Sequence, residues 1–194
     1  MKRPLPCVFW LWDDDRPQDI EAVLPALPRR SGLILRSRGG LDSLKEQVKK
    51  ASPWRRQHSV FVTGTPDYHA HGIHLREKER CPLPLRRLRQ RFLITLSCHS
   101  LPSLIRQNKR HVHGVLVSPV FATASHPGAR PLGIYTLRKM MRVTRKPLIV
   151  MGGMTRDKRR LLKSPPRWAG VSVHTEDRGR RTEGFNQKNG SKSS

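Results

Sequence analysis

Cysteine is scarce in this chain, with only Cys7, Cys81 and Cys98 among its 194 residues. Because their number is odd and their spacing matches no zinc site, the sequence predicts neither a disulfide framework nor a zinc centre. Free thiols are typical of a reducing compartment, so we expect a cytoplasmic protein. Long apolar runs are missing as well. No segment approaches the roughly 18 consecutive apolar residues of a membrane span, and we expect no membrane partner.

Acidic residues are also few, since 14 Asp and Glu stand against 39 Lys and Arg and give a net charge of +25. Such a charge attracts polyanions of any kind through long-range electrostatics and does not choose among them. Nucleic acid is one alternative, but the basic residues are spread over nearly every predicted element, without a basic arm or an aromatic platform. A phosphorylated small molecule would benefit from the same charge, and we favour it as the partner.

Apolar residues make up only 36% of the chain, and they occur in short runs rich in Val, Ile and Leu. Such runs are typical of parallel strands that are covered on both faces. Eight of them alternate with polar stretches of helical character, which predicts an α/β protein with the TIM (β/α)8 barrel fold. The predicted strands are 8–12, 32–36, 60–63, 72–75, 92–97, 114–117, 148–151 and 170–173. The predicted helices are 19–24, 41–51, 83–90, 101–107, 134–144 and 155–162.

The predicted barrel departs from the regular repeat at two places. Only residues 64–71 separate the third and fourth strands, which is too short for a full covering helix. After residue 175 the sole large apolar residue is Phe185, so the final helix is missing or degenerate. We therefore predict one barrel domain over 1–175, with a reduced third helix, and a basic, disordered tail over 176–194. The uncovered outer wall predicts a homodimer.

Two polar loops rich in glycine and hydroxyl residues follow the sixth and seventh predicted strands. Residues 118–126 read SPVFATASH, and residues 150–155 read VMGGMT. An α/β barrel presents its phosphate site at the carboxyl ends of its strands, where such loops lie. Free N–H groups at the start of helix 155–162 also favour a phosphate beside Gly152 and Gly153. The alternative interpretation is a pair of ordinary polar loops.

These motifs resemble those of the thiamine phosphate synthases and the related TenI proteins. In that family one strand ends in G-P-[IV]-[FY]-x-T-x-[TS]-K and a later one in [AV]-x-G-G-[IM]-[TN]. The resemblance extends over most of the chain and implies the same barrel. It also implies a transferase that joins hydroxymethylpyrimidine diphosphate to thiazole phosphate and releases pyrophosphate. Pro119 matches the synthases, whereas the tautomerase branch has histidine at this point.

The resemblance implies a diphosphate site made by residues from three strand ends. The family motif Q-x-R-x-K corresponds to residues 34–38, so Arg36 and Arg38 stand for its Arg and Lys. Ser97 matches the serine of G-V-S-x-H, and His126 replaces the lysine of the loop after the sixth strand. One guanidinium group can donate two parallel hydrogen bonds to a phosphate, so the arginines suit a diphosphate. The alternative for Arg36 is a solvated side chain.

Four further residues correspond to the family's thiazole-phosphate site, namely Thr123, Ser125, Gly153 and Thr175. His99 matches the family histidine of the fifth strand, and a structural histidine at a helix start is its alternative interpretation. The implied route is dissociative and depends on cations for the leaving group, so no general base is assigned.

The resemblance implies a Mg²⁺ site as well. Residues 72–79, GIHLREKE, are similar to G-[VI]-H-[LI]-G-Q-x-D, and Glu79 falls on the acid that binds the metal. The partner acid is missing, because Thr63 and Gly64 occupy its motif, although Asp67 lies close by in sequence. An ordinary surface acid is the alternative for Glu79. Two other functions stay open: a non-catalytic, TenI-like phosphate-binding or regulatory protein, and a basic nucleic-acid-binding protein.

Overall fold

The computed structural model describes residues 3–14, 19–37, 40–64, 69–79, 84–123, 128–154 and 158. In this part of the chain seven parallel strands form a single sheet in chain order, curled into a half-barrel with helices on its outer face. The strands are β1 Phe9–Asp13, β2 Gly32–Arg36, β3 Ser59–Thr63, β4 Gly72–Leu75, β5 Leu93–Cys98, β6 Gly114–Val117 and β7 Leu148–Val150. The helices are α1 Ile20–Val23, α2 Leu41–Ala51, α3 Leu85–Arg91, α4 Leu101–Gln107 and α5 Gly133–Val143.

The strands are apolar throughout because both of their faces are buried. Alternate residues such as Phe9, Ile34, Phe61 and Ile149 point inward and form one cluster inside the curled sheet. The residues between them point outward and pack under the helices, in one cluster beneath α1 and α2 and another beneath α3, α4 and α5. This two-sided burial is the reason that the strands appear in the sequence as continuous hydrophobic runs.

Helix boundaries follow local chemistry. The Ser100 hydroxyl accepts the Ser103 N–H at 3.2 Å and starts α4, whose bounds match the predicted helix 101–107. Asp19 caps α1 in the same way, accepting the Glu21 N–H at 3.0 Å. The chain then tightens into a 3₁₀ turn, Leu24–Ala26, that contains Pro25. The predicted helix 19–24 therefore corresponds to α1 and the start of this turn.

The reduced connection between β3 and β4 is also consistent with the sequence. Its described residues, Gly64 and 69–71, form no helix. The predicted strand 170–173 and the predicted tail 176–194 lie outside the described residues, as does helix 155–162 apart from Lys158. The predicted homodimer, which depends on that region, stays a prediction. In the described ranges no helix combines the length and the apolar character that crossing a membrane requires.

Candidate active site at the carboxyl ends of the strands

The carboxyl ends of the seven parallel strands lie on the same side of the sheet, which we call the rim, and five predicted site residues end or follow these strands. Arg36 ends β2, Ser97 lies near the end of β5 and Glu79 follows β4. Thr123 follows β6 and Gly153 follows β7, both in loops. The remaining predicted site residues, Arg38, Ser125, His126 and Thr175, lie outside the described residues, so their roles stay predictions.

Arg36 is held in place by the neighbouring strand. Its register partner in β1 is Asp13, and the Arg36 Nε donates to Asp13 Oδ2 at 2.8 Å, with a second contact from Nη2. The Arg36 side chain is 27% exposed and that of Asp13 13%. Beside this pair, the Ser37 hydroxyl donates to Asp14 Oδ2 at 2.5 Å. Arg36 is therefore an anchored cation, and the alternative of a solvated side chain does not apply.

His74 is a buried residue of the rim to which the sequence motifs gave no role. It points inward from β4, where its Nδ1 lies 2.9 Å from Thr95 Oγ1 and its Nε2 lies 2.8 Å from Ser97 Oγ. The pKa of His74 is lowered to about 3, mainly because the side chain is buried and secondly because Arg36 carries a positive charge nearby. The imidazole is therefore neutral at pH 7, with one donor and one acceptor nitrogen. A histidine inside the apolar run 72–75 is the sequence signal that could have found it.

The loop after β4 folds back across the rim. The Arg76 guanidinium donates to the Ser37 carbonyl at 3.3 Å, which brings a second arginine to the end of β2. The Arg76 backbone N–H donates to Glu79 Oε2 at 2.8 Å, so the Glu79 carboxylate closes the turn. The same carboxylate faces Gly64, since its Oε1 is 3.5 Å from the point where a Cβ on Gly64 would stand.

The residues at this turn do not by themselves fit a magnesium ion. Glu79 supplies one carboxylate, and one of its oxygens already accepts the Arg76 N–H. The position of the family's partner acid is Gly64, which has no side chain. Within the described ranges no group of three or more His, Cys, Asp or Glu residues could hold a metal ion. Magnesium is usually held by one or two carboxylates together with substrate phosphate oxygens. Glu79 alone would therefore supply the minimum, and only with a bound phosphate.

His99 links the ends of β5 and β6. Its Nδ1 donates to the Ser118 carbonyl at 2.7 Å, and its Nε2 lies 4.0 Å from the Glu77 carboxylate. The side chain of His99 is 53% exposed. These contacts support the structural interpretation of His99, because the ring holds the end of β5 to the residue that follows β6.

The loops after β6 and β7 are pressed together at two glycines. Gly152 and Gly153 have φ angles of +91° and +60°, which favour glycine. A Cβ on Gly152 would stand 2.7 Å from Pro119 Cα, and one on Gly153 would stand 2.3 Å from the Ala122 carbonyl oxygen. The Phe121 N–H donates to the Gly152 carbonyl at 3.1 Å. The glycine pair thus lets the two loops dock.

Lys158 is a cation that no sequence motif assigned to these loops. Its Nζ donates to the Gly153 carbonyl at 3.0 Å and lies 4.9 Å from the centre of the Phe121 ring. Thr123, half-buried, lies two residues beyond Phe121. The described rim therefore carries cations at two places, one at the ends of β2 and β4 and one beside the loops of β6 and β7.

Parallel strands in chain order, helices on the outside and polar groups at the carboxyl rim define a protein of the α/β-barrel class. The family model described as thiamine monophosphate synthase, TMP-TENI, matches residues 65–164, which is just over half of the chain. This chain belongs to the thiamine monophosphate synthase family. The resemblance stated from the strand-end motifs is confirmed.

Individual relatives agree with this assignment. Over 89 residues the chain is 35% identical to a protein of Aquifex aeolicus (strain VF5) that carries the provisional name thiamine-phosphate synthase 2, and the match covers 46% of this chain and 48% of that protein. It is 30% identical over 89 residues to the thiamine-phosphate synthase of Koribacter versatilis (strain Ellin345), covering 45% and 42%. The matches thus span about half the length of these relatives.

The fold is similar to that of the thiamine phosphate pyrophosphorylase from Pyrococcus furiosus. The TM-score is 0.66 at 21% sequence identity, and the superposition covers 85% of this chain and 84% of that one. At this level of identity the similarity supports the barrel fold alone.

Proposed function

We propose that this protein is a thiamine phosphate synthase-like transferase that joins hydroxymethylpyrimidine diphosphate to thiazole phosphate and releases pyrophosphate. The observation that carries the proposal is the contact between the buried His74 and Ser97 at the rim of a barrel of this family. Anchored arginines stand beside this contact, as a diphosphate leaving group requires.

The two arginines Arg36 and Arg76 form the proposed cradle for the diphosphate. Arg36 is fixed by Asp13, and Arg76, which follows β4, reaches the neighbouring Ser37 carbonyl. Both guanidinium groups therefore lie near the end of β2. A guanidinium fork matches phosphate oxygens in pairs, and an anchored fork loses less side-chain freedom when the anion binds. Arg38 and His126 are further proposed contacts. Arg76 adds to the arginines assigned from the sequence.

The hydroxyl of Ser97 is proposed to donate to the same anion. Thr95 is fully buried, and a buried hydroxyl that donates no hydrogen bond is costly, so we assign its O–H as the donor to His74 Nδ1. The single proton of the neutral imidazole then sits on Nε2 and donates to Ser97 Oγ. This arrangement leaves the Ser97 proton for a phosphate oxygen, and His74 acts as a positioning residue.

The thiazole phosphate is proposed to bind at the loops of β6 and β7. Gly152 and Gly153 hold the second loop against the first, and Lys158 supplies a positive charge there. Thr123, Ser125, Gly153 and Thr175 are the proposed contacts, as the family motifs imply. The Lys158 ammonium favours an anion at this place.

The proposed reaction needs no general base. The bond between the pyrimidine methyl carbon and the diphosphate oxygen breaks, and its electron pair leaves with pyrophosphate. The lone pair of the thiazole nitrogen then forms the new carbon–nitrogen bond, giving thiamine phosphate. Because negative charge develops on the leaving group, the fixed cations stabilise the transition state more than the ground state. The barrel's apolar inner cluster closes the site from below.

The direct test mixes the purified full chain with both substrates and magnesium and measures thiamine phosphate by chromatography. The wild type should form product, whereas Ser97→Ala and Arg36→Met should form little. Arg86→Met, on the exposed side of α3, is the matched control and should behave as the wild type. No product above the enzyme-free control, from a sample shown to be folded, would remove the transferase proposal.

A second candidate is a non-catalytic, TenI-like phosphate-binding or regulatory protein. It is favoured by one specific observation, the glycine at position 64 in place of the partner acid. This candidate predicts that thiazole phosphate or thiamine phosphate raises the Tm of the protein without turnover. If neither ligand shifts the Tm, this candidate is excluded.

A further inference from the structure

The negative charges of this protein are distributed unevenly along the chain. Between Glu79 and Asp157 the sequence contains no Asp or Glu at all. That interval includes β5, β6 and β7 and all of α3, α4 and α5. The cations are spread over the whole chain, but the acids that could balance them are confined to other segments.

Many of these cations lie on the outer surface of three consecutive helices. The inward faces of α3, α4 and α5 are apolar, with Leu88, Leu104, Leu137 and Met140 buried against the sheet. Most of their charged residues therefore face outward. We define the basic face as the exposed residues Arg86, Arg87, Arg106, Arg138, Lys139 and Arg142 of these helices, together with Lys109 and Arg145 just beyond the ends of α4 and α5.

The carboxyl-terminal ends of α4 and α5 are joined, so the basic face is continuous across these two helices. Asn108, just after α4, donates from Nδ2 to the Val143 carbonyl of α5 at 3.1 Å and accepts the Thr144 hydroxyl at 2.9 Å. The Lys146 Nζ donates to the Asn108 carbonyl. Burial, and then the charge of Arg89 from α3, lower the pKa of Lys146. Hydrogen bonds thus join the end of α4 to the end of α5, and the positive charge of Arg89 on α3 lies near enough to act on Lys146.

Another helix of the same protein shows the usual arrangement. On α2, Lys50 pairs with Glu46 at 2.9 Å and Lys45 pairs with Asp42 at 3.3 Å. Pairs of this kind cannot form within α3, α4 and α5, because these helices carry no carboxylate side chain. Like charges that repel one another destabilise the compact state. A ligand with many negative charges would remove that repulsion.

Exposed apolar groups are interleaved with these cations. Tyr135 is 70% exposed on α5, with the Lys139 ammonium 4.5 Å from the centre of its ring. Ile105 is 55% exposed on α4, and Val143 is 41% exposed. Most of the cations are arginines, which contact phosphate in pairs and stack on planar rings. Arginines beside an exposed aromatic ring suit a nucleic acid, which offers both phosphates and bases.

We propose that the basic face binds nucleic acid through its phosphate backbone. The surface lies on the helix side of the barrel, outside the rim where the phosphorylated substrates are proposed to bind. This second activity is therefore independent of the proposed transferase reaction. An anionic membrane suits the surface less well, because Ile105, Tyr135 and Val143 supply little apolar area on otherwise charged helices.

The test measures binding of the full chain to a labelled 20-nucleotide RNA, the matching DNA strand and the DNA duplex, by fluorescence anisotropy. The logarithm of Kd should rise linearly with the logarithm of the salt concentration, as counterion release requires. Vesicles containing anionic lipid are measured in parallel. No binding of any nucleic acid near 0.1 M salt, or binding to vesicles only, would overturn the proposal.

Two triple variants separate the basic face from the overall positive charge. Arg87→Glu, Arg106→Glu and Arg142→Glu, combined, reverse one charge on each of the three helices. The matched control combines Arg29→Glu, Lys49→Glu and Arg56→Glu, which are exposed residues of the first half of the chain and change the net charge equally. We expect the first triple variant to raise Kd by at least about tenfold more than the control.

Equal weakening by the two triple variants would show a general charge effect and would overturn the assignment to this surface. Circular dichroism and thermal unfolding establish that both are folded. Arg36→Met, a rim variant, should bind nucleic acid as the wild type does, because the rim is not part of the basic face. Loss of nucleic-acid binding in that variant would place the polyanion at the rim and also overturn the proposal.

Discussion

The Nε2 atom of His74 in β4 lies 2.8 Å from the Oγ atom of Ser97 in β5. The contact joins a buried imidazole, 5% exposed, to a hydroxyl that stands at the rim of the barrel. Because the other ring nitrogen faces Thr95, the imidazole is held from both sides and the Ser97 hydroxyl is oriented. This relationship connects the packing of the barrel interior with the proposed chemistry at its rim.

Replacement of His74 should affect both stability and turnover. In His74→Leu the buried Thr95 hydroxyl loses its hydrogen-bond partner, which costs about 1–3 kcal/mol of unfolding free energy. Urea denaturation measures that loss. The variant should also lose most of its transferase activity at saturating substrate, because Ser97 is no longer oriented. Ser97→Ala should lower kcat by about 100-fold, a typical effect of removing one donor to a developing anion, while the fold is retained.

His74→Asn separates the two effects, since an amide can restore a hydrogen bond but not the geometry of the ring. It should recover part of the stability and little of the turnover. Full activity in both His74 variants would contradict the positioning role of His74.

The pH dependence of stability follows from two histidines with lowered pKa values, the buried His74 and the half-buried His71. Burial lowers the pKa of His74 to about 3 and that of His71 to about 4, against an ordinary value of 6.5. Between the lowered pKa of each histidine and its ordinary value of 6.5, the unfolded chain binds more protons than the folded one. The unfolding free energy therefore falls as the pH falls below 6.5. The stabilisation is complete above pH 6.5. Urea unfolding at pH 7, 6 and 5 measures the slope, which reaches at most about 1.4 kcal/mol per pH unit for each group.

The variant His74→Asn removes one of these groups and should show a shallower loss of stability between pH 7 and pH 5. His111→Asn, at an exposed position, is the matched control and should keep the wild-type slope. A His74→Asn slope as steep as that of the wild type would contradict the neutral, buried state of His74.

The docked loops of β6 and β7 should be sensitive to one methyl group. In Gly153→Ala the new Cβ would stand 2.3 Å from the Ala122 carbonyl oxygen at a φ of +60°, so the loops must separate. The strained backbone alone costs roughly 1–3 kcal/mol, and the Tm should fall accordingly. Binding of thiazole phosphate, measured by calorimetry, should weaken together with the Tm.

Gly128→Ala is the matched control, because a Cβ at this position would have nothing within 4 Å and the φ of Gly128 lies outside the left-handed range. It should leave the Tm unchanged or raise it slightly, since alanine restricts the unfolded chain more than glycine does. An equal loss of Tm in both variants would show that the effect does not come from loop docking.

The turn at Glu79 predicts that pyrophosphate binding depends more on Arg76 than on the Glu79 carboxylate. Because Glu79 closes the turn through the Arg76 N–H and faces a glycine, Glu79→Gln should keep the turn and change pyrophosphate affinity by less than about threefold. Arg76→Gly, which restores the residue of the family motif, removes a cation and should weaken pyrophosphate binding by about tenfold or more. Isothermal titration with pyrophosphate, with and without Mg²⁺, measures both effects.

Arg110→Gly is a control for loss of charge near this turn. Arg110 lies beyond the end of α4 and contacts the Glu79 carbonyl. It should weaken pyrophosphate binding less than Arg76→Gly does. If Glu79→Gln abolishes the effect of Mg²⁺ on pyrophosphate binding, Glu79 is a metal ligand and the turn-closing interpretation is wrong.

Regular elements were predictable where local signals agree. The predicted helices 41–51 and 101–107 match α2 and α4, and the predicted strands 32–36, 72–75 and 114–117 match β2, β4 and β6. The predicted strand 92–97 is displaced by one residue, because the Phe92 N–H donates to Leu88 and ends α3 instead. Such boundaries depend on which hydrogen bond a single backbone group makes, and composition does not specify that choice.

The candidate site was only partly predictable. Arg36, Ser97, Glu79, Thr123 and Gly153 follow from motifs at strand ends, and the described structure places them at one rim. His74 falls on the histidine of the family motif at residues 72–79, but the motif by itself gives no sign of the partners of that histidine. Those partners, Thr95 and Ser97, are about twenty residues away and come into reach only through the register of β4 with β5. Arg76 replaces the second glycine of the same motif, so comparison with the motif assigns it no role.

By itself, the amino-acid sequence determined the order of strands and helices, the family, and the excess of positive charge, because hydrophobic runs, glycine loops and composition are local properties. The tertiary structure alone decided which polar groups meet: Asp13 with Arg36, His74 with Ser97, and Glu79 with the Arg76 N–H. The physical reason is that hydrogen bonds and ion pairs act over about 3 Å, whereas their partners on neighbouring strands are brought together only when the sheet curls and its register is set.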